Sequence, residues 1–250
     1  KANLSTALQD MLIYGSPFSK SGGEFYKNFD RAKHVGKCHY KPELPLHISF
    51  DFNVNPYITL IISQIQDKSI CFINEICLKS PRNNTEKLCL EFIRQYQGHE
   101  AGLFIYGDPS GKQEDTRSER GYNDYTIIRN TLRQFKPHLR IESKHPAVVP
   151  RGNFINQILE RELQGIKILI KNKCKNLITD LTYLKEASDG TKHKEKERKN
   201  GVSYEKYGHC ADALDYLITS AFKNEYLKYL RGGKKKGSWI LGKYIKNRSR

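Results

Sequence analysis

The chain lacks the features that would place it in several large protein classes. It has one Met and one Trp among 250 residues, and its six cysteines (Cys38, Cys71, Cys77, Cys89, Cys174 and Cys210) include no C-x-x-C pair. That spacing excludes a zinc ribbon or finger, and a secreted disulfide scaffold would be smaller and richer in cysteine. Reduced thiols in a cytosol are the simpler account. No apolar stretch approaches the roughly 18 to 20 residues of a membrane span, and no signal peptide is recognisable. There is also no G-x-x-x-x-G-K-[ST] loop. Asp108-Pro-Ser-Gly-Lys-Gln lacks the first Gly and the closing Ser or Thr, so the chain is not expected to hydrolyse ATP. It opens on Lys1 without an initiator Met, which reads as part of a longer chain.

What the chain has in excess is positive charge. Forty-three Lys and Arg against 27 Asp and Glu give a formal net charge of +16. An excess of this size favours a polyanionic partner, because each cation set on a phosphate releases condensed counterions. Hydrophobic residues at 38% and aromatics at 11% are enough for a core, so the chain as a whole is not disordered.

Residues 1–45 read as an N-terminal segment that docks on the main domain, punctuated by Ser21-Gly22-Gly23, Pro42 and Pro45. The domain itself is expected over 46–231, followed by a basic tail over 232–250. Leu46–Asn53, Tyr57–Gln66 and Ser69–Leu78 are rich in Ile, Phe, Thr and Tyr and are joined by short turns, which predicts an antiparallel three-strand meander. The pattern then alternates. Helices are expected at Thr85–Gln97, Asp124–Phe135, Phe154–Leu163, Leu177–Leu184 and Ala211–Tyr229, and strands at Gly102–Gly107, His138–Glu142 and Ile166–Ile170. This order predicts an α/β fold with a mixed, ribonuclease-H-like sheet, the antiparallel meander followed by parallel strands and flanked by helices. The charged stretch 185–208 has no apolar stripe and reads as a surface loop or hairpin. Its Lys194, Lys196, Arg198 and Lys199, with Lys234, Lys235 and Lys236 of the tail, are candidate DNA contacts; Trp239 and Tyr244 add stacking surfaces.

Three acidic positions carry the chemistry. Asp51 lies in an otherwise apolar strand, sharing one face with Ser49 and Asn53 while Ile48, Phe50 and Phe52 take the other. A carboxylate there is costly unless a structural partner or a divalent cation compensates it. Asp108 directly follows the strand Leu103–Gly107, although Asp-Pro-Ser-Gly is good turn chemistry in its own right. Asp212 stands in His209-Cys-Ala-Asp212-Ala-Leu-Asp215-Tyr216 at the start of the last helix, where the dipole favours an acid. His209 and Asp215, three residues to either side, are further candidates, and on an ideal wheel Asp215 lies nearer the apolar stripe. Phosphodiester hydrolysis must activate a water and stabilise a leaving oxygen. Two Mg²⁺ or Mn²⁺ ions about 4 Å apart do both, with hard oxygen ligands. Asp51 would bridge them, with Asp108 and Asp212 completing the two sites.

Four stretches together resemble the C-terminal nuclease domain of phage terminase large subunits. They are Gly22-Gly-Glu-Phe-Tyr-Lys-Asn-Phe29, Ile48-Ser-Phe-Asp51-Phe-Asn-Val-Asn-Pro56, Gly107-Asp108 and His209-Cys-Ala-Asp212-Ala-Leu-Asp-Tyr216. The resemblance spans roughly residues 20–230. It implies a resolvase-related ribonuclease-H-like nuclease that uses two Mg²⁺ or Mn²⁺ ions to cut concatemeric viral DNA during packaging. The implied partners are double-stranded DNA, a terminase ATPase domain, a small terminase subunit and the portal, and the implied place is the host cell cytoplasm. In the family a His three residues ahead of the third acid is common, which His209 matches; Asp215 stands where a basic residue is frequent. The alternatives are a Holliday-junction resolvase or transposase-like nuclease, and a non-catalytic basic DNA-binding module.

Overall fold

The β-branched and aromatic run that begins at Leu46 becomes the centre of one sheet. The structure, a computed structural model, describes residues 22–113, 122–199 and 201–232. Three strands form the expected meander: β2 (Leu46–Asp51; β1 is the short edge strand described below), β3 (Ile58–Gln66) and β4 (Ser69–Leu78), with β3 antiparallel to both neighbours. Connections of six residues or fewer leave no room for a crossover, so antiparallel pairing follows. β5 (Leu103–Gly107) then adds parallel to β2, and β6 (Pro137–Leu139) adds parallel to β5. On the other edge β7 (Lys167–Lys171) pairs parallel with β4. The short β1 (Val35–Gly36) pairs parallel with β7, giving the order β1-β7-β4-β3-β2-β5-β6.

Strand alternation divides the core in two. On one face Ile48, Phe50, Leu60 and Ile62 meet α2 (Thr85–Tyr96) and α3 (Asp124–Thr131), through Leu88, Phe92 and Ile128. Asn84 and Asn123 cap these two helices, accepting from Lys87 N at 2.9 Å and Thr126 N at 3.1 Å. On the other face Ile61, Ile70 and Phe72 lie in one cluster with α4 (Val148–Arg161), α5 (Lys175–Tyr183) and α6 (His209–Ala221). Phe25, Tyr26 and Phe29 belong to that same cluster, and Phe25 N donates to Leu184 O at 2.8 Å. Residues 22–36, with β1 and the short α1 (Arg31–His34), are therefore woven into the core as well as docked on it.

The differences from the sequence reading have local causes. α4 begins at Val148, six residues ahead of the expected start, because Pro150 falls in the first turn, where its missing N–H is no loss. The charged stretch holds a hairpin, β8 (Lys196–Lys199) with β9 (Val202–Glu205), and β8, Lys-Glu-Arg-Lys, is polar on both faces and so shows no apolar period. The final helix breaks at Phe222 and resumes over 223–232.

α6 has no cap of its own, for Gly208 at its start has φ 115° and no side chain. The cap comes from α5 instead: Asp180 Oδ2 accepts from Cys210 N at 2.9 Å and Ala211 N at 3.2 Å. In the same way Glu75 of β4 accepts from Asn176 N at 2.8 Å and Leu177 N at 2.9 Å at the start of α5. Burial pushes the Asp180 carboxyl up to about 6, and the helix N–H groups restrain that rise. Since its folded pKa exceeds the unfolded one, Asp180 binds its proton more readily when folded, so its contribution to stability falls as pH rises from about 4 to 6. Asp180→Ala should lower stability by about 1–3 kcal/mol by stripping two buried N–H groups of their acceptor. Urea denaturation at pH 4 and pH 7 should also show the loss to be larger at pH 4, where the wild-type group is a neutral acid at less burial cost.

Candidate active site

The register that builds the sheet also gathers the acids. Asp51 ends β2, opposite Thr59, and Phe50 is paired with Gly107 on β5. Asp108 therefore emerges beside Asp51, and its N–H donates to Phe50 O at 3.3 Å. Gly107 is required at this junction. Its φ is 150°, and a Cβ would stand 2.8 Å from both Phe50 O and Tyr125 Oη. α6 crosses the same end of the sheet and brings His209 and Asp212. The buried Tyr216, one turn on, records the convergence: its hydroxyl pKa is pushed up by burial first, then by the negative charges of Asp212, Asp108 and Asp51.

Each acid is tied by a protein donor. Asp51, 2% exposed, meets His209 Nδ1 through Oδ2 at 3.1 Å and accepts from Asn53 Nδ2 at 3.1 and 3.2 Å. His209 Nε2 bonds Glu205 O at 3.0 Å. Burial pulls the imidazole down, but the Asp51 carboxylate and the Glu205 carbonyl outweigh it and hold the His209 pKa at about 9. Burial in turn raises the Asp51 carboxyl, against the His209 and Asn53 hydrogen bonds that lower it. Asp108 Oδ1 takes His145 Nε2 at 2.9 Å and Ser110 N at 2.6 Å. Burial raises its pKa, and these bonds overcome that to hold it at about 2. His145 stacks on Tyr216 with ring centres 4.3 Å apart.

Asp212 and Asp215 part company. Asp215 is fully buried, with 0% exposure, and both oxygens are used: Tyr26 Oη donates to Oδ1 at 2.7 Å, while Arg151 Nε and Lys192 Nζ donate to Oδ2 at 2.9 and 2.7 Å. Asp212 keeps 26% of its side chain exposed and receives Arg151 Nη2 and Lys192 Nζ on the single oxygen Oδ1, both at 2.8 Å. Burial raises the Asp212 pKa, and the two cations lower it below the usual value. Among the described residues no donor takes Oδ2 of Asp212 or Oδ2 of Asp108. Asp215 is thus wholly engaged inside the fold, and Asp212 is the more exposed of the two.

Among the described residues, no three His, Cys, Asp or Glu side chains already stand in ion-holding geometry. The donor set nevertheless suits a hard divalent cation. Three carboxylates sit at the ends of two neighbouring parallel strands and a helix, and two of them have an oxygen that no described donor engages. Among the described residues Ser49 Oγ and Thr59 Oγ1, on the Asp51 face, are buried without a hydrogen-bond partner.

The hairpin forms one wall of a groove of about 330 Å³, facing Asn53, Val54 and Asn55, with His209 also lining it. The hairpin cations differ in their surroundings. Lys194 is paired with Glu205 at 2.6 Å. Lys196 lines the groove. Its pairing with Glu205, and that of Arg198 with Ser203, sets both on one face of the ladder, with Lys199 on the other. Lys234, Lys235 and Lys236 lie outside the described residues.

A scan against protein-family models and a search of curated proteins match nothing. Solved structures do match. The large terminase of a thermophilic bacteriophage is similar at 15% identity and TM-score 0.56, over 88% of this chain and 52% of that one. The P22 large terminase nuclease domain is similar at 13% identity and TM-score 0.51, over 85% of this chain and 93% of that domain. The fold is that of the large-terminase nuclease domain. The chain spans about half the length of the thermophilic-phage protein and nearly all of the P22 domain. Within this ribonuclease-H-like frame the sequence pointed to Asp51, Asp108, Asp212, His209 and Asp215, but not to His145, Arg151 or Lys192. Arg151 did leave a signal: it sits three and four residues before Phe154 and Ile155, on the buried stripe of α4.

Removing a partner from a buried ion pair leaves an uncompensated charge. Arg151→Ala should therefore destabilise the fold by about 3–5 kcal/mol, as measured by chemical denaturation, whereas exposed Lys199→Ala should stay within ~0.5 kcal/mol.

Proposed function

We propose that this chain is the nuclease domain of a phage-type DNA-packaging terminase, a divalent-metal-dependent endonuclease that cuts double-stranded, concatemeric viral DNA. The observation that carries this reading is the meeting of Asp51, Asp108 and Asp212 at one end of a sheet with the terminase nuclease fold. In this reading Asp51, Asp108 and Asp212 would hold two Mg²⁺ or Mn²⁺ ions, and the chemistry such ions would supply there is activation of a water and stabilisation of the leaving oxygen. His209 orients Asp51 from behind, through the oxygen it bonds, and Asn53 holds the same carboxylate from the strand end. His145 does the corresponding work for Asp108. Asp215 is assigned no ligand role.

The net charge of +16 supports a phosphate-holding surface around this site. Lys196 and Arg198 are the hairpin residues best placed to contact DNA across the groove beside Asp51. The partners that go with this reading are an ATPase motor domain, a small terminase subunit and the portal, and the setting is the host cell cytoplasm.

Plasmid cleavage in Mn²⁺, Mg²⁺ or EDTA tests the reading. Metal-dependent nicking or linearisation is expected for the wild type and should vanish in Asp51→Ala and Asp212→Ala. DNA binding without cleavage in any metal, unchanged by Asp51→Ala, would instead indicate a basic binding module. For the interface, the slope of log affinity against log salt in EDTA should fall by about 1 in Lys196→Ala and again in Arg198→Ala. Lys199→Ala, on the opposite face, should leave it unchanged; equal effects at all three positions would refute the groove assignment.

A further inference from the structure

We propose that Lys192 is a resident counter-cation of the acidic site, and that with Arg151 and Asp215 it sets how tightly Asp212 holds a divalent ion. The proposal rests on the nuclease reading above. It starts from an asymmetry in how two neighbouring acids are bonded. Lys192 and Arg151 converge on one oxygen of Asp212, Oδ1, at 2.8 Å each, and on one oxygen of Asp215, Oδ2, at 2.7 and 2.9 Å. Tyr26 closes the remaining oxygen of Asp215 at 2.7 Å. Asp215 has nothing left to offer an ion and no exposure through which to offer it. Its chemistry is that of an anion holding two cations in place. Asp212, 26% exposed, keeps Oδ2 clear of any described donor.

The four groups form a closed balance of two negative and two positive charges. An ion arriving at Asp212 Oδ2 therefore meets a carboxylate whose field is already offset from behind. The Lys192 side chain is only 9% exposed, and its ammonium lies 5.4 and 5.3 Å from the ring centres of Phe25 and Tyr26, so its place is fixed by packing as well as charge. Water cannot screen it as it would a surface lysine. A unit charge a few ångströms from a divalent ion, at the effective dielectric of such sites, alters the ion's affinity on the order of tenfold or more. Lys192, Arg151 and Asp215 lie outside the proposed ligand set, and of these Lys192 and Asp215 carry opposite signs. Their removal should move ion affinity in opposite directions.

The test is Mn²⁺ binding without DNA, read by calorimetry and by the Mn²⁺ electron paramagnetic resonance signal. The variants are Asp51→Asn, Lys192→Met, Asp215→Asn and the double variant Lys192→Met/Asp215→Asn. Methionine keeps most of the stem that packs on Phe25 and Tyr26, and Lys192→Gln serves if that variant does not fold. Lys192→Met should bind Mn²⁺ on the order of tenfold tighter, and Asp215→Asn weaker by a similar factor. The double variant should return to within about twofold of wild type, since the charge balance is restored. A site lost in Asp51→Asn but with the same Mn²⁺ affinity in all Lys192 and Asp215 variants would overturn this proposal and leave the nuclease reading standing. Weaker binding in Lys192→Met would overturn it as well, by showing that orientation of Asp212 outweighs charge. Mn²⁺ binding indifferent to Asp51→Asn would overturn the nuclease reading, and this proposal with it.

Discussion

Carboxylates taken out of water close to one another are the constraint around which this molecule is arranged. Desolvating one such group costs several kcal/mol unless a partner offsets it. Asp51, Asp180 and Asp215 are buried, and Asp108, Asp212 and Glu75 are partly so. Every one has a named compensation, and the compensations cross the fold. Arg151 comes from α4, Lys192 from the stretch before the hairpin, Tyr26 from the N-terminal segment, and His209 from α6. The elements could not be placed differently without leaving one of these charges alone.

The compensations are of two kinds. Asp180, Glu75 and Asp215 spend their oxygens on helix N–H groups or on buried cations. Asp108 and Asp212 have one oxygen held and one oxygen clear of described donors. Asp51 stands between these kinds, bonded to His209 and Asn53 at the end of the central strand. A carboxylate fixed through one oxygen is oriented at little cost to its ability to bind something through the other. That arrangement suits a site that must be ready before its ligand arrives.

The sequence made much of this legible, because the relevant signals were local. Ile, Phe and Thr in short runs with tight turns place β2, β3 and β4, and β4 runs from Ser69 to Leu78 in the structure as in the sequence reading. Asp51 stood out as a charge in an apolar strand, and Asp108 as the residue after β5. On α6 Asp215, nearer the apolar stripe, is fully buried, and Asp212 keeps part of its side chain exposed. What the sequence did not show is pairing across long separations. Arg151 meets Asp215 across 64 residues and Tyr26 meets it across 189, and no period in a single chain encodes such a contact. The hairpin was hidden for another reason. Every residue of β8 is exposed, so no apolar alternation marks it as a strand.

The borrowed caps of α5 and α6 have a consequence for how a local change would spread. A helix that carries its own capping residue has its start held locally, whereas α5 obtains its acceptor from β4 and α6 obtains its acceptor from α5. The start of α6 is thereby tied to the meander through α5. Displacing Glu75 would loosen the first turn of α5, and a shift of α5 would carry Asp180 away from the N–H groups that open the helix bearing His209 and Asp212.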